Sequence, residues 1–118
     1  MNLINSTSYS IKKSKFIAYY YEINNPLEVK PIITDLKLKH KGCKHLPYAY
    51  QIDKLVRCSD DKEPPKTAGL PILNVITQNQ LNWCLIVIVR YFGGIKLGPG
   101  GLMRAYHQAA QEVIKKAN

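Results

Sequence analysis

The residues with the most chemical potential lie between Val89 and Arg104. Arg90 leads into Gly93, Gly94, Lys96, Gly98, Gly100 and Gly101, and then into a helix pattern that carries Arg104. Glycines let backbone N–H groups converge, and the first turn of a helix adds partial positive charge. With Arg90, Lys96 and Arg104 around it, this unit suits a phosphate or an RNA backbone. Two familiar nucleotide loops are excluded by spacing. No Lys-Ser/Thr pair closes a Walker loop, and the glycines do not follow the dinucleotide pattern. The plainer account is that glycine permits tight turns and close strand–helix contact.

A second group is acidic. Asp60, Asp61 and Glu63 supply three of the eight acids in a basic chain. Clustered carboxylates hold Mg²⁺ or act as acid and base; they also cap turns and pair with arginine. His45 is the histidine nearest a strand start, and near acids it would shuttle protons. His45, Asp60, Asp61 and Glu63 are therefore the catalytic candidates, with metal binding left open. His40 and His107 read as solvent-side residues on helices. Cys43, Cys58 and Cys84 form no Cys-x-x-Cys pair, so neither a zinc site nor a disulfide framework is suggested. Cys84 adjoins an apolar strand and reads as a core residue, while Cys43 and Cys58 read as loop or strand-edge thiols.

These residues need elements to position them. Ser8 to Ile23 reads as strand, with Lys12-Lys13-Ser14 dividing a hairpin. Ile17, Tyr19, Tyr21 and Ile23 share one face, and Phe16, Ala18 and Tyr20 the other. Asn25-Pro26 signals a helix start, and Val29, Ile32, Ile33 and Leu36 give its buried stripe. Pro31 requires either a later start or an irregular first turn. Gly42 stands where a terminator belongs. Tyr48 to Ile52 reads as strand, Arg57 to Pro71 as a long ordered loop, and Leu70 to Ile76 as a short helix. Trp83 to Tyr91 is the clearest strand, and its five consecutive aliphatics imply burial on both faces. A helix from about Leu102 to Lys116 follows. Together these predict an α+β two-layer sandwich. Its sheet has roughly four strands, mixed in direction, with helices mainly on one face.

The 118 residues suit one domain, taken as 1–118. No apolar run is long enough for a membrane span, and the N-terminus lacks the pattern of a signal peptide. The expected location is the cytoplasm. A net charge of +9 favours polyanionic partners, although a lysine-rich genome would give the same composition. Most of the eight tyrosines fall in strand or helix stripes, where core packing competes with base stacking.

Four segments resemble the IMPACT/YigZ family: Lys12 to Ala18, His45 to Tyr50, Ser59 to Gly69, and Val87 to Tyr106. The resemblance implies the fold shared by the second domain of a small-subunit ribosomal protein and domain four of elongation factor G. It also implies a translation-linked regulatory or binding module. The expected partner is RNA, the ribosome or a translation-regulatory protein, with no cofactor. The alternatives are a small hydrolase-like or phosphate-ligand enzyme, and a pure protein-interaction domain in a stress-kinase pathway. The chain departs from the family pattern at Pro47, usually Cys; at Lys62 and Lys66, usually Gly; and at Pro99, usually Thr. The further ferredoxin-like domain of bacterial members is expected to be absent.

Overall fold

A computed structural model describes residues 1–115. The chain opens with a hairpin of β1 (Asn2–Ile11) and β2 (Ser14–Glu22), antiparallel, with Ile11 opposite Ser14. Lys12 and Lys13 form the loop, with φ of 47° and 67°. Positive φ at both positions is the type I′ form of a two-residue hairpin loop, whose twist matches the strands. The turn is thus Lys12-Lys13, and Ser14 already belongs to β2.

The start signal at Asn25-Pro26 opens a 3₁₀ turn, Pro26–Glu28, which runs into α1 (Val29–Lys39). Asn25 Oδ1 accepts from the N–H of Leu27 at 2.9 Å, and the N–H of Asn25 donates to Glu28 at 3.0 Å. This reciprocal cap satisfies donors that the helix cannot. Pro31 falls in the first turn of α1, where its missing N–H has no helical partner to lose. Gly42 is not the terminator. α1 ends at Lys39, and the N–H of His40 donates to the carbonyl of Leu36 at 2.9 Å.

β3 (Tyr48–Ile52), β4 (Leu55–Ser59), α2 (Gly69–Gln78), β5 (Cys84–Tyr91) and α3 (Gly98–Lys115) complete the described chain. The strands form one sheet in the order β1-β2-β5-β3-β4, and every pairing is antiparallel. The α+β class holds, but the sheet has five antiparallel strands rather than about four mixed ones. β4 lies where a loop was expected from Arg57. It is an edge strand with an uneven mix of apolar and polar residues, so it carries no alternation to read. β1 starts at Asn2, earlier than expected, because its Asn, Ser and Thr residues line the opposite edge.

The strand faces follow the alternation in the sequence. Phe16, Ala18, Ile86 and Ile88 face α2 and α3, while Tyr19, Leu85, Val87 and Val89 face α1. Two of the three helices therefore share a face. β5 is buried from Cys84 to Arg90, so whatever its last residues carry is held by the central strand of the sheet. Among the described residues, no helix is long and apolar enough to cross a membrane. Lys116 lies outside the described residues.

Candidate functional site

At the end of β5 the ladder with β3 continues past the named strand. The N–H of Arg90 donates to the carbonyl of His45 at 2.9 Å, and the N–H of Lys44 donates to the carbonyl of Arg90 at 2.8 Å. Backbone pairing thus sets His45 beside Arg90. The Arg90 side chain turns to the α3 face, its guanidinium 5.7 Å from the Phe16 ring and 5.5 Å from the Phe92 ring. Its Nη1 donates to both oxygens of Glu63, at 3.0 and 2.8 Å. Glu63 and Arg90 are each only 6% exposed. A pair this dry is held by geometry and by additional hydrogen bonds more than by Coulomb attraction alone.

Those bonds are present. The hydroxyl of Tyr106 donates to Glu63 Oε2, and its ring stands edge-on to Phe16. Burial, and then the charge of Glu63, holds the Tyr106 phenol far above its ordinary pKa, so it remains a donor. His45 completes the cluster. Its Nδ1 donates to the carbonyl of Asp61 at 2.9 Å, and its Nε2 faces Glu63 Oε1 at 3.4 Å. A carbonyl only accepts, which places a proton on Nδ1.

This cluster is one wall of a cleft of about 400 Å³, whose other walls include Lys44, Phe92, Lys96 and Leu102. Gly98 and Pro99, at the start of α3, close one side. The chain therefore gathers His45, Glu63, Arg90, Lys96 and Gly98 at one place. Asp60 and Asp61 do not join them. Asp60 accepts from the N–H groups of Lys66 at 3.0 Å, Ala68 at 3.2 Å and Gly69 at 2.8 Å, which caps the start of α2. Asp61 Oδ2 accepts from the N–H of Leu46 at 2.8 Å, tying the acidic loop to the segment that carries His45. Among the described residues, no three His, Cys, Asp or Glu side chains gather as a metal site.

The glycine-rich segment divides into separate roles. A Cβ at Gly93 would lie 1.9 Å from the carbonyl oxygen of Lys13, so this glycine lets the loop rest on the β1–β2 turn. Gly94 and Gly98 have φ of 92° and 73°, with open space where a side chain would go. Gly98, Gly100 and Gly101 lie inside α3, which begins four residues earlier than Leu102. Pro99 takes an early helical position, where its fixed φ fits and no N–H is needed. Arg104 is not a cleft residue. Its guanidinium lies over Gly100, and it lines a separate groove with Met103 and His107 between α2 and α3.

Three contributors were not singled out from the sequence. Tyr106 falls among the buried residues of α3, and its hydroxyl leaves no trace in the periodicity. Lys44 and Phe92 reach the cleft only because pairing extends beyond β3 and β5. His40 also differs from its sequence reading. It bonds Tyr19 at 2.6 Å and Tyr91 at 2.7 Å, and burial, then Lys39 and Lys15, lowers its pKa. Burial raises the pKa of all three cysteines, that of Cys84 to about 12, which keeps them as thiols.

The comparisons with known proteins agree with this architecture. A family model described as the Impact N-terminal domain matches residues 12–114. The chain is 40% identical over 105 residues to the IMPACT family member YvyE of Bacillus subtilis, covering 86% of this chain and 48% of that protein. It is 31% identical over 111 residues to the IMPACT family member YigZ of Escherichia coli, covering 90% and 54%. The chain thus spans about half the length of the curated relatives it matches. A solved structure described as a hypothetical protein superposes with a TM-score of 0.91 at 29% identity, covering 95% of this chain and 57% of that one. The two-domain translational regulator Yih1 superposes with a TM-score of 0.57 at 21% identity, covering 98% and 46%, and shares the fold. A match over nearly the whole chain, on the segments that build the cleft, means that this chain belongs to the Impact N-terminal domain family.

Proposed function

We propose that this chain is a translation-linked binding module that contacts RNA, on the ribosome or free, through the lysine-bearing rim of the cleft. One observation carries the reading. Among the described residues no lysine side chain lies within 4.0 Å of a carboxylate, while Glu63 is consumed by Arg90 and Glu28 by the N-terminal amine. Asp60 and Asp61 are turned onto backbone N–H groups. The net charge of +9 is therefore presented outward with little local neutralisation. Lys44 and Lys96 bring part of it to the cleft, beside the start of α3. Arg90 shapes the wall but is already paired, so the rim lysines supply the free charge. The translational regulator of the same fold supports a role in translation, and a cytoplasmic location goes with it.

The test is affinity for a fluorescently labelled RNA, read by anisotropy. The Lys44→Ala/Lys96→Ala double variant should lose about tenfold, the size of two phosphate contacts. An unchanged affinity in that variant removes the cleft from the proposal. Arg90→Ala is a poor probe, because it also strands Glu63 in the core.

A second reading has its own observation. His45 Nε2 lies 3.4 Å from a buried carboxylate on the cleft wall, an ion-pair distance that a bound substrate would have to tighten for acid–base work. Under this reading the cleft takes a small phosphate ester. Turnover of such esters that disappears in His45→Ala would favour it; no turnover in the parent protein would dismiss it.

A further inference from the structure

On the other face of the sheet, α1 and the β3–β4 hairpin enclose a groove of about 450 Å³. None of its lining residues lines the cleft. Tyr48 and Tyr50 stand two positions apart on β3, so both rings point to the α1 face. Their ring centroids are 6.4 Å apart and their planes differ by 12°. Both are only half-buried, unlike Tyr19 of the same face, which is 7% exposed. Core packing therefore does not use these two rings fully.

The surroundings are basic. Lys30 and Lys37 of α1 line the groove and are exposed. Arg57 stands opposite Tyr50 in the strand register, which places it on the same face, also exposed. The one acid among the lining residues is Asp61, whose Oδ2 is already taken by the N–H of Leu46. Parallel aromatic rings fixed on a strand and flanked by cations suit bases on one side and phosphates on the other. A duplex keeps its bases inside its own stack and has nothing to offer such rings.

We infer that this groove binds unpaired bases of single-stranded RNA by stacking on Tyr48 and Tyr50, with Lys30, Lys37 and Arg57 holding the flanking phosphates. The inference rests on the RNA reading above and gives it a preference for single strands that the cleft rim does not supply.

The probes are a labelled single-stranded RNA of about ten nucleotides, within the site sizes of stacking platforms, and a duplex of the same length. The single strand should bind more tightly. Tyr48→Leu/Tyr50→Leu should weaken single-strand binding by about tenfold or more, as expected for lost base–aromatic stacking, and leave duplex binding unchanged. Tyr48→Phe/Tyr50→Phe keeps the rings and should keep the affinity. Should the leucine variant fail to fold, Lys30→Glu/Lys37→Glu, at exposed positions of α1, should produce the same selective loss. Salt-sensitive binding that is equal for both RNAs, or unaffected by the tyrosine or lysine changes, overturns the groove and leaves the cleft reading standing. Loss in the phenylalanine variant equal to that in the leucine variant overturns stacking. No binding of either RNA overturns both proposals together.

Discussion

Glu63 is the residue on which the cleft depends. It receives Arg90 twice and Tyr106 once, and faces His45, at 2% side-chain exposure. Removing it leaves a guanidinium in the core whose Nε already has no partner. Breaking a buried pair from one side costs about 3–5 kcal/mol, because the remaining charge is uncompensated. Glu63→Ala should therefore lower unfolding stability by about that amount in urea titration. Tyr106→Phe, which keeps the ring on Phe16 and loses one bond to a charged acceptor, should cost about 1.5–3 kcal/mol. A Glu63→Ala variant as stable as the parent would mean that Arg90 reaches water or another acceptor. At this scale the sequence was informative about residue types and silent about pairing. Asp60, Asp61 and Glu63 look equivalent in a row. The turn at Asp61 and Lys62 sends one carboxylate inward and leaves the others on backbone N–H groups.

That turn belongs to the next scale. Asp61 and Lys62 have φ of 45° and 69°, and the N–H of Glu63 donates to the carbonyl of Asp60 at 3.0 Å. Positive φ at both central residues with this bond marks a tight reversal of the hairpin kind. Lys66 has φ of 66°. Lys62 and Lys66 stand where the family resemblance leads one to expect glycine, and their positive φ is a backbone reason for glycine at both positions. A side chain in this region costs about 1–2 kcal/mol, and glycine returns part of that through its freer unfolded chain. Lys66→Gly should thus stabilise the protein by about 0.5–1 kcal/mol, seen as a rise of a few degrees in Tm. The N–H of Lys66 that bonds Asp60 is kept by the substitution. A lower Tm would show that the lysine side chain contributes more than its backbone strain costs. The glycine-rich segment shows the same limit on reading sequence. Its composition suggests one cradle, yet Gly93 serves contact with the Lys13 backbone, and Gly100 and Gly101 serve the first turns of α3.

For the whole molecule, the elements of strongest periodicity were legible: the two faces of β2, the buried β5, the stripes of α1 and α3. The edges were legible only in part: Ser8 to Ile11 of β1 read as strand, but its polar first half and β4, whose apolar and polar residues do not alternate, did not, since both strands pair on one side only. The cleft forms where the central strand, the acidic loop and the start of α3 meet, an arrangement that depends on the antiparallel order and not on any local pattern. The same order separates charges that the sequence mixes. Lys44 and Lys96 lie at the cleft. Lys54, in the β3–β4 turn, lies at the opposite end of the sheet, and Lys115 lies at the far end of α3, about 25 Å from its start. Two double variants therefore change net charge equally but its placement differently. If binding followed net charge alone, Lys54→Ala/Lys115→Ala and Lys44→Ala/Lys96→Ala would weaken RNA binding to the same degree. Placement predicts otherwise. For a single-stranded RNA, each lost phosphate contact reduces the slope of log affinity against log salt by about 0.7. The cleft pair should lower that slope by about 1.4, and the remote pair should leave it unchanged. Equal slopes in the two variants would mean that the protein attracts RNA as a diffuse cation, and that the cleft has no special part in holding it.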